Sequence, residues 1–299
     1  MKTNKEISGH LAAVITILIW GTTFISTKIL LVSFTPIEIL FYRFGIGLIT
    51  LTVLFPRRLK GTNMKQELMF AGAGLCGVTL YFLLENIALT YTLASNVGVI
   101  ISIAPFFTAI LSHWFLENEK LKTNFFVGFV VAMMGIFLIN FNGSMILKLN
   151  PLGDLLAVLA SALWAVYGVL TRKISGFGHN TIQTTRRIFL YGLLFMIPAL
   201  LIFPFEWGIE RFSRSSNLFN ILFLGLGASA LCFVTWNTAV KILGAVKTSI
   251  YIYMVPAITV ITSIIVLHEK ITWIAACGTV LTAAGLFISG RTAKTIKKH

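Results

Sequence analysis

Residues 85–121 read ENIALTYTLASNVGVIISIAPFFTAILSHWFLENEKL, and residues 236–271 read WNTAVKILGAVKTSIYIYMVPAITVITSIIVLHEKI. Laid over one another, Asn86 meets Asn237, Ala88 meets Ala239, Pro105 meets Pro256 and Leu116 meets Leu267. One deletion later Glu119-Lys120 meets Glu269-Lys270, and Gly128 and Gly135 meet Gly278 and Gly285. Upstream, at a slightly smaller offset, Trp20 pairs with Trp164, Thr27 with Thr171, Lys28 with Arg172 and Arg43 with Arg187. Coincidences at rare residue types along nearly the whole chain mark an internal duplication.

The duplicated unit reads as membrane-spanning. Of 299 residues, 57% are hydrophobic and only 11% charged, against about 25% charged in a soluble domain. The mean hydropathy of +0.89 agrees. Apolar runs fall at 9–32, 36–55, 67–90, 93–116, 122–141, 151–174, 181–204, 217–241, 246–267 and 271–290. Each is near the roughly 20 residues that cross a bilayer as a helix, and a helix is what lipid demands of a spanning backbone. No room is left for a soluble catalytic domain. The first run is too long for a cleavable signal and reads as a retained helix. The expected fold is an all-α membrane protein, ten transmembrane helices arranged as two inverted five-helix repeats. The repeats cover 8–141 and 151–290, followed by a basic cytoplasmic tail at 291–299. Five is odd, so the second repeat must enter the membrane upside down. Inverted repeats are a signature of transporters.

The net charge of +14 is topology rather than nucleic-acid binding. Sixteen of the 24 Lys and Arg residues sit in the N-terminus, the 2–3, 4–5, 6–7 and 8–9 connections and the C-terminal tail. The opposite connections hold Lys148, Arg211, Arg214 and Lys270, with Lys28 near a helix end. The positive-inside rule puts both termini in the cytoplasm of a multi-pass cell-membrane protein. Cys76, Cys232 and Cys277 lie inside apolar runs and read as packing residues, with neither disulfide nor zinc spacing.

On these residues the chain resembles the EamA-type branch of the drug/metabolite transporter superfamily. The resemblance rests on Ile19-Trp20-Gly21-Thr22-Thr23-Phe24, Asn86-Ile87-Ala88-Leu89 with Ala94-Ser95 and Pro105, and the Leu116…Glu119-Lys120-Leu121 segment with its copy Leu267-His268-Glu269-Lys270-Ile271. It covers about residues 8–290. It implies ten helices in the five-plus-five inverted arrangement and export of small metabolites, usually amino acids and related compounds, although some relatives import.

Ionisable groups at membrane depth are candidates for function, because their burial is costly. Arg43 lies about seven residues into the second span, and Glu85 about five residues from the outer end of the third, at a similar depth. They form either a structural ion pair or a site in which Glu85 titrates or binds a substrate amine beside Arg43. Arg187 is the counterpart of Arg43, with Arg186 adjoining, but Trp236 occupies the place equivalent to Glu85. Arg187 therefore either snorkels toward the cytoplasm or captures a substrate carboxylate at the cytoplasmic mouth. The amides of Asn86 and Asn237 orient a solute or bond a neighbouring helix. Trp20 and Trp164 lie mid-span, outside the interfacial belts. With Tyr81, Tyr167, Trp236 and Tyr253 they either wall a cavity or pack the core. Pro105 and Pro256 kink the fourth and ninth spans. Ala94, Ser95, Gly98 and Ser102 offer close approach along the fourth span. Gly128-Ala132-Gly135 and Gly278-Thr282-Gly285 do so along the fifth and tenth.

These features point to a secondary transporter of a small polar molecule. No Gly-Lys-Ser/Thr phosphate loop is present, so this chain does not itself use ATP and calls for no cofactor. No acid, base or nucleophile cluster marks an enzyme, so no catalytic or metal-binding residue is assigned. A channel is the third possibility. The expected partners are a small-molecule substrate and the lipid bilayer, with protons as an optional coupled ion. No nucleic acid is expected, and the chain is expected to work as a monomer or weak dimer.

Overall fold

A computed structural model describes residues 2–91, 94–117, 119, 123–140, 150–208, 210–267 and 272–290. Lys120, Lys122, Lys148, the His268-Glu269-Lys270 segment and the basic tail lie outside the described residues. Among the described residues, every regular element is a helix. The membrane helices are α1 (Lys2–Leu30), α2 (Pro36–Leu54), α3 (Met64–Tyr91), α4 (94–115), α5 (Thr123–Asn140), α6 (Pro151–Ser175), α7 (Thr181–Ile202), α8 (Ser215–Leu243), α9 (245–267) and α10 (Trp273–Gly290).

The interruptions in these helices obey the repeat. α3 widens to π-helix over Leu75–Leu80 and α8 does so over Phe223–Leu231. α4 breaks into a turn between Ile101 and Ala104, and α9 tightens to 3-10 helix over Ile250–Tyr253. The last two irregularities precede Pro105 and Pro256. Each proline lacks the N–H that a regular helix would give to the carbonyl four residues back, here that of Ile101 or Ile252.

The two halves interlock. α1 packs on α8 and α9, and α6 packs on α3 and α4; α2 meets α7 and α8, as α7 meets α2 and α3. α5 and α10 pair with one another through their glycine faces. A Cβ placed on Gly135 would lie 2.5 Å from the backbone nitrogen of Thr282 and 2.6 Å from the carbonyl oxygen of Gly278. One placed on Gly285 would lie 2.5 Å from the nitrogen of Ala132. Hydrophobic burial does not drive helices together in lipid, so such close backbone contact is what holds this pair. The corresponding expectation for α4 fails at Gly98, where a Cβ would meet nothing within 4 Å. Its turn is instead closed internally, Ser102 donating to the carbonyl of Gly98 at 2.8 Å.

Polar ties gather the connections at the two ends. At one end Glu6 pairs with Lys247 at 2.5 Å, Glu119 pairs with Arg172 at 3.1 Å, and Gln183 donates to the carbonyl of Arg57 at 3.1 Å. This basic end thus holds the N-terminus and the 2–3, 4–5, 6–7 and 8–9 connections. Glu119 also accepts from the backbone N–H groups of Ala245 and Val246, at 2.8 and 2.7 Å, and so caps α9. At the opposite end Glu38, with a wholly buried side chain, accepts both arms of Arg211 at 2.9 and 3.0 Å. It also accepts from the backbone of Thr35 and Glu206. This carboxylate holds the Arg211 guanidinium above its usual range.

Candidate functional site

Between the halves lies a small chamber of about 40 Å³, lined from α1 by Trp20, Thr23 and Phe24, from α2 by Arg43 and from α3 by Tyr81, Phe82 and Glu85. Ile101, Trp164, Ile252 and Val255 complete it from α4, α6 and α9. The kinked helices therefore present Ile101 and Ile252, repeat mates that each stand four residues before a proline. Forty cubic ångströms accommodates a few waters at about 10–15 Å³ each. It falls well short of the roughly 300 Å³ at which ordinary ligand pockets begin, so the chamber is closed down in this conformation.

The walls are aromatic. Trp20 meets Trp164 edge-on with centroids 5.2 Å apart, and Trp164 lies 4.8 Å from Tyr81. The Trp20 indole donates to the carbonyl of Ala228 in the π-helical part of α8 at 2.9 Å, which fixes the ring. Two charged groups enter this apolar surround. Arg43 is 2% exposed; its Nε donates to Ser229 Oγ at 3.0 Å, and its guanidinium carbon sits 4.4 Å from the Phe82 ring centroid and 5.1 Å from that of Phe44. Glu85 is 5% exposed, and its Oε2 has no hydrogen-bond partner.

A direct Arg43–Glu85 ion pair, one of the two sequence readings, is not formed. Ser229 and the Phe82 face hold the guanidinium instead, and cation–π contact of this kind is strongest where water is excluded. Both charges face the same chamber without neutralising each other by contact. Arg43 has further N–H donors beyond Nε, and among the described residues no protein acceptor takes them. The arrangement can receive an anion at Arg43 and a cation or a proton at Glu85.

Several expected site residues lie elsewhere. Asn86 donates to the carbonyl of Pro36 at 3.3 Å, tying α3 to the first turn of α2. Asn237 donates to Thr185 at 3.0 Å and accepts from the Tyr167 hydroxyl at 2.8 Å. These two amides and Tyr167 bond helices together, the structural alternative. Trp236 is buried behind the chamber wall, 5.1 Å from Trp20 and 5.9 Å from Trp164. Tyr253 packs into a separate cluster with Ala109 and Phe125, beside Phe129 of α5. Tyr253 ends the 3-10 stretch Ile250–Tyr253, which turns about 120° per residue.

Arg187 is also outside the chamber. It pairs with Glu67 at 2.8 Å, and Glu67 further accepts from Tyr191 at 2.6 Å and Thr62 at 2.6 Å. The repeat explains the divergence from Arg43. At the offset that matches Asn86 to Asn237, Ser229 corresponds to Val78, which packs against Gly192. Arg187 thus finds no hydroxyl in the membrane interior and turns to an acid at the basic end. Glu38, at the outer edge, reads from sequence as a weaker proton-coupling candidate than Glu85, but it is tied up by Arg211. Glu67 carries no sequence signal as a partner of Arg187, because an acid at a helix end is an ordinary capping residue. The Thr35-x-x-Glu38 capping spacing was a readable signal for Glu38.

The comparisons agree with this architecture. The family model for EamA-like transporters matches residues 7–141 and again 151–291. An uncharacterized transporter of Archaeoglobus fulgidus is 29% identical over 97% of this chain and 98% of its own length. The uncharacterized transporter YyaM of Bacillus subtilis is 27% identical over 81% of each chain. A solved crystal structure superposes with a TM-score of 0.75 over 95% of this chain and 97% of its own, at 20% identity, a likeness of fold alone. With the family model matching both repeats, the chain belongs to the EamA-like transporter family.

Proposed function

We propose that this transporter is a secondary carrier that moves a small zwitterionic metabolite, an amino acid or a related compound, outward across the cell membrane by alternating access. The observation that carries the reading is the open Oε2 of Glu85 beside Arg43 in one small, largely aromatic chamber. A solute with an ammonium and a carboxylate supplies both missing counter-charges, while Trp20, Tyr81, Phe82 and Trp164 enclose its apolar part. Burying either charge without a partner is costly, so such a solute stabilises the closed chamber. Polar ties at both ends, Glu119–Arg172 and Glu38–Arg211, are the groups that opening on one side would break.

In this reading the basic end and both termini face the cytoplasm, and the chain works as a monomer or weak dimer. The drive is either a proton taken up by Glu85 on the return step or the solute gradient alone. Counterflow with and without an imposed pH gradient separates the two. The four aromatic rings support a second reading, export of a planar nucleoside or cationic drug by the same chamber. Uptake is the same cycle run inward.

A thermal-shift screen on purified protein, followed by counterflow with the hits, tests the proposal. Amino acids should raise the melting temperature and exchange across liposomes saturably. Nucleosides or drugs as the sole hits would favour the second reading. A melting temperature moved by lipids and by no solute would overturn both.

A further inference from the structure

A second cavity, of about 470 Å³, opens at the basic end between the last turns of α2 and the first turns of α7. Leu48, Thr52 and Leu190 line it together with Arg58, Arg186 and Arg187. Its walls are held in place. Arg186 donates to the carbonyls of Phe55 and Arg57 at 2.7 Å each, and Gln183 donates to those of Arg57 and Arg58 at 3.1 and 3.3 Å. The loop that carries Arg58 is thereby fastened to α7. Glu67 neutralises Arg187, whereas among the described residues neither Arg58 nor Arg186 has a carboxylate partner. Two positive charges are therefore left at the rim.

The surroundings identify the anion that fits. Leu190, Leu194, Ile197 and Leu201 are exposed and recur at helical spacing up α7; Ile49 and Val53 are exposed on α2. These side chains continue from the pocket into the span, where hydrocarbon covers them. A free metabolite has no use for that apolar stripe, but an amphiphile has. Basic pockets between membrane helices on the cytoplasmic side are suited to anionic headgroups, each nearby Arg strengthening the attraction. We propose that this pocket binds an anionic glycerophospholipid of the adjoining leaflet, with its headgroup phosphate at Arg58 and Arg186 and its acyl chains along the exposed faces of α2 and α7. It lies apart from the chamber, shares no lining residue with it, and does not depend on the identity of the solute.

Native mass spectrometry of the full-length protein, with phosphatidylglycerol, phosphatidylcholine or inorganic phosphate added in turn, tests the site. Phosphatidylglycerol should be retained at least about tenfold better than phosphatidylcholine, from two arginines each contributing about fivefold. Inorganic phosphate should leave no retained adduct. Arg58→Gln, a change in an exposed loop, should weaken phosphatidylglycerol by about fivefold. Leu190→Trp, which fills the pocket and keeps every charge, should weaken it as well. Arg214→Gln at the opposite end should leave it unchanged. Equal retention of the two lipids, retention of inorganic phosphate at the same concentration, or wild-type lipid binding by both Arg58→Gln and Leu190→Trp would each overturn the proposal.

Discussion

The first repeat places two charges in the central chamber and the second places none. Arg43 and Glu85 come from α2 and α3, whereas their counterparts are Arg187, bound to Glu67 near the basic end, and Trp236, packed behind the wall. The scaffold around them is nonetheless symmetric: matched π segments, matched proline breaks, matched tryptophans and a self-paired α5–α10 seam. Symmetry builds the frame, where two orientations of similar energy are useful. Asymmetry sets the chamber's charges, and in the proposed reading two unlike charges suit a solute with two different ends.

Breaking the shared frame should cost most. Gly135→Leu drives a side chain into the backbone of α10, which cannot yield as a flexible side chain would. The expected loss is about 3 kcal/mol or more, read as failure to recover monodisperse protein by size exclusion. Forcing symmetry on the site comes next. Trp236→Glu puts an acid at a position 2% exposed, packed against the Trp20 and Trp164 rings. A destabilisation of roughly 3 kcal/mol is expected, seen as a lowered melting temperature; a stable variant would show that the second half tolerates the first half's chemistry.

The ties at the ends should matter less. Glu119→Ala removes the cap on α9 and the partner of Arg172, for about 1–2 kcal/mol. It should also make the basic end more accessible to water-soluble thiol reagents at an introduced cysteine. Arg187→Gln should be mildest. Its side chain is 33% exposed, so solvent screening limits the pair to about 1 kcal/mol or less. Solute affinity measured by thermal shift should stay within about twofold. A larger drop in affinity would return Arg187 to the substrate path.

Much of the frame was legible because lipid leaves few choices. Ten runs of spanning length, an odd number per half and matched Trp, Pro, Asn and Gly residues are enough to draw the inverted fold. The glycine faces of α5 and α10 were readable as a seam, since small residues at helical spacing have few other uses in a membrane. The chamber lining was half legible: Trp20, Arg43, Tyr81, Glu85 and Trp164 do meet around one space, and charges and aromatics at mid-span are conspicuous in a sequence. Asn86, Tyr167, Asn237 and Tyr253 were equally conspicuous but bond or pack other helices, a matter of rotation about an axis that composition does not fix. Ser229 was missed because a serine in an apolar run carries no signal until the arginine that needs it is placed 3.0 Å away.

In the proposed cycle the unmatched pair Arg43 and Glu85 reads the substrate. Counterflow of an amino acid identified by thermal shift, measured in one set of liposomes for wild type, Glu85→Gln, Arg43→Gln and Arg187→Gln, tests it most directly. Glu85→Gln and Arg43→Gln should each lower exchange at least about thirtyfold, while Arg187→Gln should remain near wild type. Exchange that survives loss of Glu85 and Arg43 but fails without Arg187 would contradict it.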